Sequence, residues 1–151
     1  MKSFRNELKV GLANEDIVKK ELEREWGIKL NHRSKYDVFD YDTEEKDIFI
    51  EVKSRNIKHN EYDTALIGYN KIQRGLELQE LNKDCQVYFV WKYKDGIFFV
   101  KLGDFEYEVN EFTRGKRIES WANKKNVPTA FIRYNQLKPL KSTKAFLSLN
   151  L

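Results

Sequence analysis

The sequence predicts an α/β fold in which a mixed central β-sheet is flanked by helices. Two hydrophobic periods and one turn signal carry that expectation. Residues 5–26 and 64–82 repeat apolar side chains every three or four positions, the period of an amphipathic helix, whereas residues 47–55, 86–93 and 97–102 carry the short, β-rich runs of strands. Lys94-Asp95-Gly96 separates the last two runs, and Asp-Gly is a strong hairpin signal. The order helix, three strands, helix, two strands describes a sheet with helices laid against it.

Each element has its own local reason. In the first helix Leu8, Leu12, Val18, Leu22 and Trp26 gather on one face, and Gly27 ends it. Segments 28–32, 36–41 and 47–55 read as strands, the last two joined by the charged turn Asp42 to Lys46 into an antiparallel hairpin. After the loop Asn56 to Asp63, the helical period of residues 64–82 runs through Ala65, Tyr69, Ile72 and Leu76, with Asp63 or Thr64 placed to cap it. Gln86 to Tyr93 and Ile97 to Leu102 then pair, and their aromatic content places them centrally, with Trp91 and Tyr93 in the core. A short helix is expected around Arg117 to Lys125 and a further strand at Ala130 to Tyr134. No repeat or linker interrupts the 151 residues, so one domain is expected, with a core over residues 5–103 and a basic C-terminal extension over 104–151.

Composition narrows the class. Apolar residues make up 40% and charged residues 34%, which suits a folded domain rather than a disordered or membrane-embedded chain. The longest apolar runs, Val87 to Trp91 and Ile97 to Val100, fall far short of the ~20 residues that a spanning helix needs, so no membrane partner is expected. The opening Met-Lys-Ser-Phe-Arg-Asn-Glu lacks an apolar signal region, and the expected compartment is the cytoplasm or nucleoid. Cys85 is the single cysteine, which excludes an internal disulfide and a cysteine-built zinc site. His32 and His59 lack metal-ligand spacing, and no glycine-rich phosphate loop occurs. The net charge of +4 is unevenly spread: from residue 101 onward ten Lys and Arg stand against five Asp and Glu.

The chemistry concentrates in Asp47-Ile-Phe-Ile-Glu-Val-Lys-Ser-Arg55. Strand alternation points Glu51 and Lys53 the same way, roughly 7 Å apart. Glu-x-Lys also occurs at Glu7 to Lys9 and Glu44 to Lys46, but only Glu51-Val-Lys53 lies in an apolar strand. The preceding strand brings Asp37, and pairing across the hairpin sets its carboxylate beside Glu51; Asp40, three residues on, falls on the opposite strand face. Two such carboxylates are hard oxygen ligands of the kind that hold Mg²⁺ together with a phosphate. A metal so held acidifies water and screens phosphate charge, and Lys53 would orient the water or stabilise the transition state. Glu15 projects from the apolar face of the first helix toward the sheet, where a carboxylate needs a metal or a partner such as Lys19.

With these residues in place, the sequence resembles the PD-(D/E)XK nuclease superfamily, and within it the archaeal-type Holliday-junction resolvases. The likeness covers roughly residues 10–80 and rests on Gly11-Leu-Ala-Asn-Glu15, Tyr36-Asp37 and Ile50-Glu-Val-Lys-Ser-Arg55, with Tyr36 where the motif's proline would stand. It implies a restriction-endonuclease-like fold, catalytic roles for Asp37, Glu51 and Lys53 with Glu15 assisting at the metal, dependence on Mg²⁺ with Mn²⁺ able to substitute, and a homodimer or higher oligomer. The residues beyond 103 have no counterpart in the resolvases.

DNA is the expected substrate. Arg55, Lys71, Arg74, Arg114, Lys116 and Arg117 are the candidate phosphate contacts. Gln73 is a further candidate, because related nucleases use a polar residue on this helix to position water. The expected activity is metal-dependent phosphodiester hydrolysis by an endonuclease, either resolvase-like or site-specific as in homing and restriction enzymes. The rival readings are a non-catalytic DNA-binding or assembly module and an end-dependent exonuclease.

Overall fold

A computed structural model describes residues 4–34, 37–113 and 126–149. Helix α1 (Phe4–Trp26) is followed by three short strands, β1 (Asn31–His32), β2 (Tyr41–Asp42) and β3 (Ile48–Ser54). Strand β4 (Thr64–Gly68) runs straight into α2 (Tyr69–Leu81), and β5 (Gln86–Tyr93) and β6 (Gly96–Lys101) form the central hairpin. Then come β7 (Glu108–Thr113), β8 (Asn126–Arg133), a 3-10 turn at Tyr134–Gln136, β9 (Lys138–Pro139) and α3 (Lys141–Leu149). Six strands form a sheet in the order β1-β2-β3-β5-β6-β9, and three more form a second sheet, β4-β8-β7. Only β3 and β5 pair in parallel, so the large sheet is mixed, as expected. A parallel pair needs a crossover, and the segment carrying β4 and α2 provides it.

The two faces of β3 face different cores. Ile50 and Val52 join Val18 and Leu22 of α1 with Tyr41, Val90, Ile97 and Leu140. Phe49 points the other way, to Ile72 of α2, Phe89, Trp91 and the inner faces of β4 and β8. Ile72 is fully buried, and removing a side chain of that size from water contributes about 1.5–3 kcal/mol, which anchors α2 on this face. Close approach at Gly75 assists: a Cβ there would stand 2.7 Å from Leu102 Cδ2 and 3.2 Å from Val87 Cγ1.

Three expectations are corrected. Residues 64–68 are a strand, not the first turns of a helix, because Ala65 and Ile67 bury one face while the backbone pairs with β8. Neither Asp63 nor Thr64 caps α2; Gly68 occupies that position and makes no side-chain cap bond. Residues 37–40 form a series of bends, with regular pairing beginning only at Tyr41, and the strand expected over 28–32 is reduced to two residues. The helix anticipated around Arg117 to Lys125 lies outside the described residues.

The chain beyond residue 103 is built into the fold, since Ala130, Ile132, Leu137 and Leu140 are all buried in the two clusters. The hydroxyl oxygen of Thr143 in α3 accepts the Ile97 N–H at 2.8 Å, beside the β5–β6 turn. Gly96 in that turn has φ +143° and would place a Cβ 2.6 Å from Thr143 Oγ1. Gly96→Ala is therefore expected to cost about 2 kcal/mol from strain and crowding. Thermal unfolding should show a fall in Tm of roughly 4–8 °C; an unchanged Tm would contradict this packing. Cys85 is buried and free, and burial pushes its thiol pKa up, in keeping with a small apolar role. Among the described residues, no helix is long and apolar enough to cross a membrane.

Candidate active site

Glu51 lies near the middle of β3 on the face turned toward α2, only 4% exposed, and Lys53 follows on the same face, partly exposed. The hairpin register pairs Asp42 with Phe49 and Tyr41 with Ile50; extended by one residue, it sets Asp40 opposite Glu51. Asp40 is held there at three points. Its N–H donates to Ile50 O at 3.0 Å, its carbonyl accepts the Arg33 N–H at 2.9 Å, and its Oδ2 accepts the Val52 N–H at 2.7 Å. Below it, buried Asp42 binds Arg33 and, at 2.8 Å, Lys46, while the Arg33 guanidinium lies over the Phe49 ring. That network ties down the segment leading into β2.

Across the pair the Asp40 charge acts on Glu51, and the Glu51 carboxyl is pushed up to about 8. Burial is the largest cause and the Asp40 charge the next; Lys71 and Lys53 pull the other way. Lys71 Nζ stands 3.3 Å from Glu51 Oε2, and Lys53 Nζ 3.9 Å from the same oxygen. Two ammonium groups so near would ordinarily favour the carboxylate, yet loss of hydration and a second acid outweigh them. Glu51 therefore holds its proton well above the ordinary carboxylate range when no other cation is present. Two hard carboxylate oxygens with this mutual repulsion, bordered by open surface at Lys53, suit a divalent cation.

The structure brings together Glu51 and Lys53 but not Asp37. Asp37 is exposed, accepts the Ser34 N–H at 3.0 Å, and lies 3.6 Å from Arg33 as an ion pair. The physical reason is that residues 37–40 bend instead of alternating, so the hairpin register and not strand parity selects the acid. Glu15 is partly buried near Asp40; burial and then the Asp40 charge raise its pKa, and it makes no ion pair with Lys19 among the described residues. It is not among the groups that act on Glu51. No three acidic, histidine or cysteine side chains converge in metal-holding geometry among the described residues, which leaves the Asp40–Glu51 pair without Glu15.

Lys71 was expected on the DNA-facing surface. It instead turns inward, 21% exposed, and donates to Val38 O at 2.5 Å while facing Glu51. The start of α2 at Tyr69 sets that direction. Arg74 is ion-paired to Glu77 at 3.0 Å, Gln73 is exposed, and Arg55 is exposed just beyond β3. Arg114, Lys116 and Arg117 lie outside the described residues.

An acid on β3 facing another on the bend before β2, with two lysines directed at the pair and an exposed approach, can bind a cation and a phosphate together. Residues 4–127 match the model of a protein family described as "Phage putative PDDEXK endonuclease". No curated protein matches the chain.

Proposed function

This chain belongs to the phage PDDEXK endonuclease family, and from that premise we propose that it hydrolyses DNA internally, with Asp40 and Glu51 as the metal-holding pair and Lys53 as the catalytic cation. The observation that carries the residue assignment is the hairpin register that sets Asp40 opposite Glu51, with Lys53 and Lys71 flanking Glu51. Mg²⁺ is the proposed cation, with Mn²⁺ as a substitute. When bound, such a cation supplies an acidified water and positive charge against the phosphate oxygens.

The remaining work falls to the chain. Lys53, partly exposed, presents its ammonium donors to the attacking water or a non-bridging phosphate oxygen. Lys71 acts as a positioning residue: its bond to Val38 O joins α2 to the segment carrying Asp40, and its ammonium group holds Glu51 from the other side. Arg55 and Arg74 stand on the exposed rim as phosphate contacts. The finer proposal is a structure-selective enzyme of the resolvase type, working as a dimer because cutting two strands takes two active sites.

The test compares labelled four-way junction, linear duplex and closed-circular DNA with Mg²⁺ or EDTA. Mg²⁺-dependent nicking of the closed circle is expected, with preference for the junction. Lys53→Met should lower the rate roughly 10²-fold, while Lys71→Met should lower it about tenfold. Cleavage of linear ends alone would replace the endonuclease reading with an exonuclease, and binding without cutting would leave a DNA-binding module.

A further inference from the structure

The six-stranded and three-stranded sheets leave a cleft of about 380 Å³ between them, lined by Trp91, the register partner of the proposed catalytic lysine, and by Arg55, two residues past it. Trp91 and Tyr93 of β5 form its floor, Leu66 of β4 and Phe131 of β8 its far wall, and Tyr62 and Arg55 its mouth. We propose that this cleft receives one unpaired nucleobase of the DNA strand, next to the phosphate being cut. The inference rests on the nuclease reading above and adds to it the class of substrate.

Position is the first argument. Lys53 and Trp91 are partners in the parallel register, and the Arg55 N–H continues that pairing by donating to Lys92 O at 2.9 Å. Arg55 thus lies two residues past Lys53, roughly 7 Å along the strand. A nucleotide flanking a phosphate at Lys53 reaches the cleft without leaving the sheet surface.

Chemistry is the second. The volume falls within the range of about 300–1,000 Å³ usual for small-ligand sites, suited to one flat group and too narrow for a base pair in its helix. Its lining has aromatic rings and one cation, Arg55, and no acid. The larger cleft of about 770 Å³ beside it carries Asp63, Glu106 and Glu108, a poor surface for a polyanion. Tyr62 is 63% exposed at the mouth, an apolar ring offered to solvent where a base can stack. An unpaired base is thus the part of DNA that matches the exposed Tyr62 ring, the apolar lining and the single cation.

Binding measured in EDTA separates this inference from catalysis. Fluorescence anisotropy would compare a duplex carrying one unpaired thymine, the same duplex with an abasic residue at that place, and a fully paired duplex. The thymine duplex is expected to bind about tenfold more tightly than the abasic one. Tyr62→Ala, an exposed site whose circular dichroism should match the parent, is expected to erase that difference and leave the fully paired affinity unchanged. Equal binding of thymine and abasic duplexes, or an equal loss on all three DNAs in Tyr62→Ala, overturns the cleft assignment. Adding Mg²⁺ distinguishes the two readings: cutting without base preference retains the nuclease and discards the cleft, whereas base preference without cutting does the reverse.

Discussion

Asp40→Asn is expected to lower Mg²⁺-dependent cleavage by roughly 10³-fold, and Asp37→Asn to leave it within about threefold. The contrast follows from where the two carboxylates stand. Asp40 accepts the Val52 N–H at 2.7 Å and stands opposite Glu51, so the neutral amide removes one of the two charges that would hold the cation. Asparagine keeps the size and one acceptor oxygen, and the fold should survive; unfolding midpoints close to the parent's would establish that. Asp37 bonds the Ser34 N–H and faces Arg33 at 3.6 Å on an exposed bend, an arrangement worth less than about 1 kcal/mol. Initial rates on closed-circular DNA at saturating Mg²⁺ decide the matter. If Asp37→Asn is the inactive variant and Asp40→Asn cuts normally, the assignment of the acid pair is refuted.

The second large effect is on stability and depends on pH. Without a divalent cation, Glu51 holds its proton up to about 8 in the folded protein, against an ordinary value of 4.5. Between those values the folded state binds more protons than the unfolded chain, so stability declines as pH rises through the window and levels off above it. The full contribution is present below the ordinary value and is lost as pH passes the raised one. A loss on the order of 3 kcal/mol is expected, visible as a fall in Tm of roughly 6–12 °C between pH 5 and pH 8.5 in EDTA. Glu51→Gln cannot ionise and should flatten that part of the profile, which separates Glu51 from other groups titrating in the same range. Saturating Mg²⁺ should restore the parent at high pH and do little for Glu51→Gln. Matching pH slopes for parent and Glu51→Gln would show that the proton is not held at Glu51.

Both effects depend on an acid that the sequence pointed toward but did not identify. Strand parity separates Asp37 from Asp40 because they differ by an odd number of positions, yet parity alone cannot say which faces Glu51. That choice depends on how many residues the turn consumes. Thr43 accepts the Lys46 N–H at 3.0 Å and donates its own N–H to Ile48 O at 3.1 Å, closing a short loop with Lys46 at φ 60°. Once that loop closes, Tyr41 pairs with Ile50 and Asp40 falls opposite Glu51.

Local information was sufficient wherever the decisive contact lies within a few residues. The period of α1, the Asp-Gly turn between β5 and β6, the apolar strand around Glu51 and the shared face of Glu51 and Lys53 are all of that kind. The chemistry of an acid and a lysine on one rigid strand was legible for the same reason. Contacts made across long stretches of chain were decided only on folding. Residues 64–68 are a strand because β8, more than fifty residues downstream, supplies the hydrogen-bonding edge, and no local period records a partner that distant. Moving the helix start to Tyr69 in turn aims Lys71 at Glu51 instead of at solvent. From its own alternation the chain sets Glu51 and Lys53 on one face of β3. Tertiary pairing decided which acid and which second lysine meet them, because register and helix direction depend on backbone partners supplied from elsewhere in the chain.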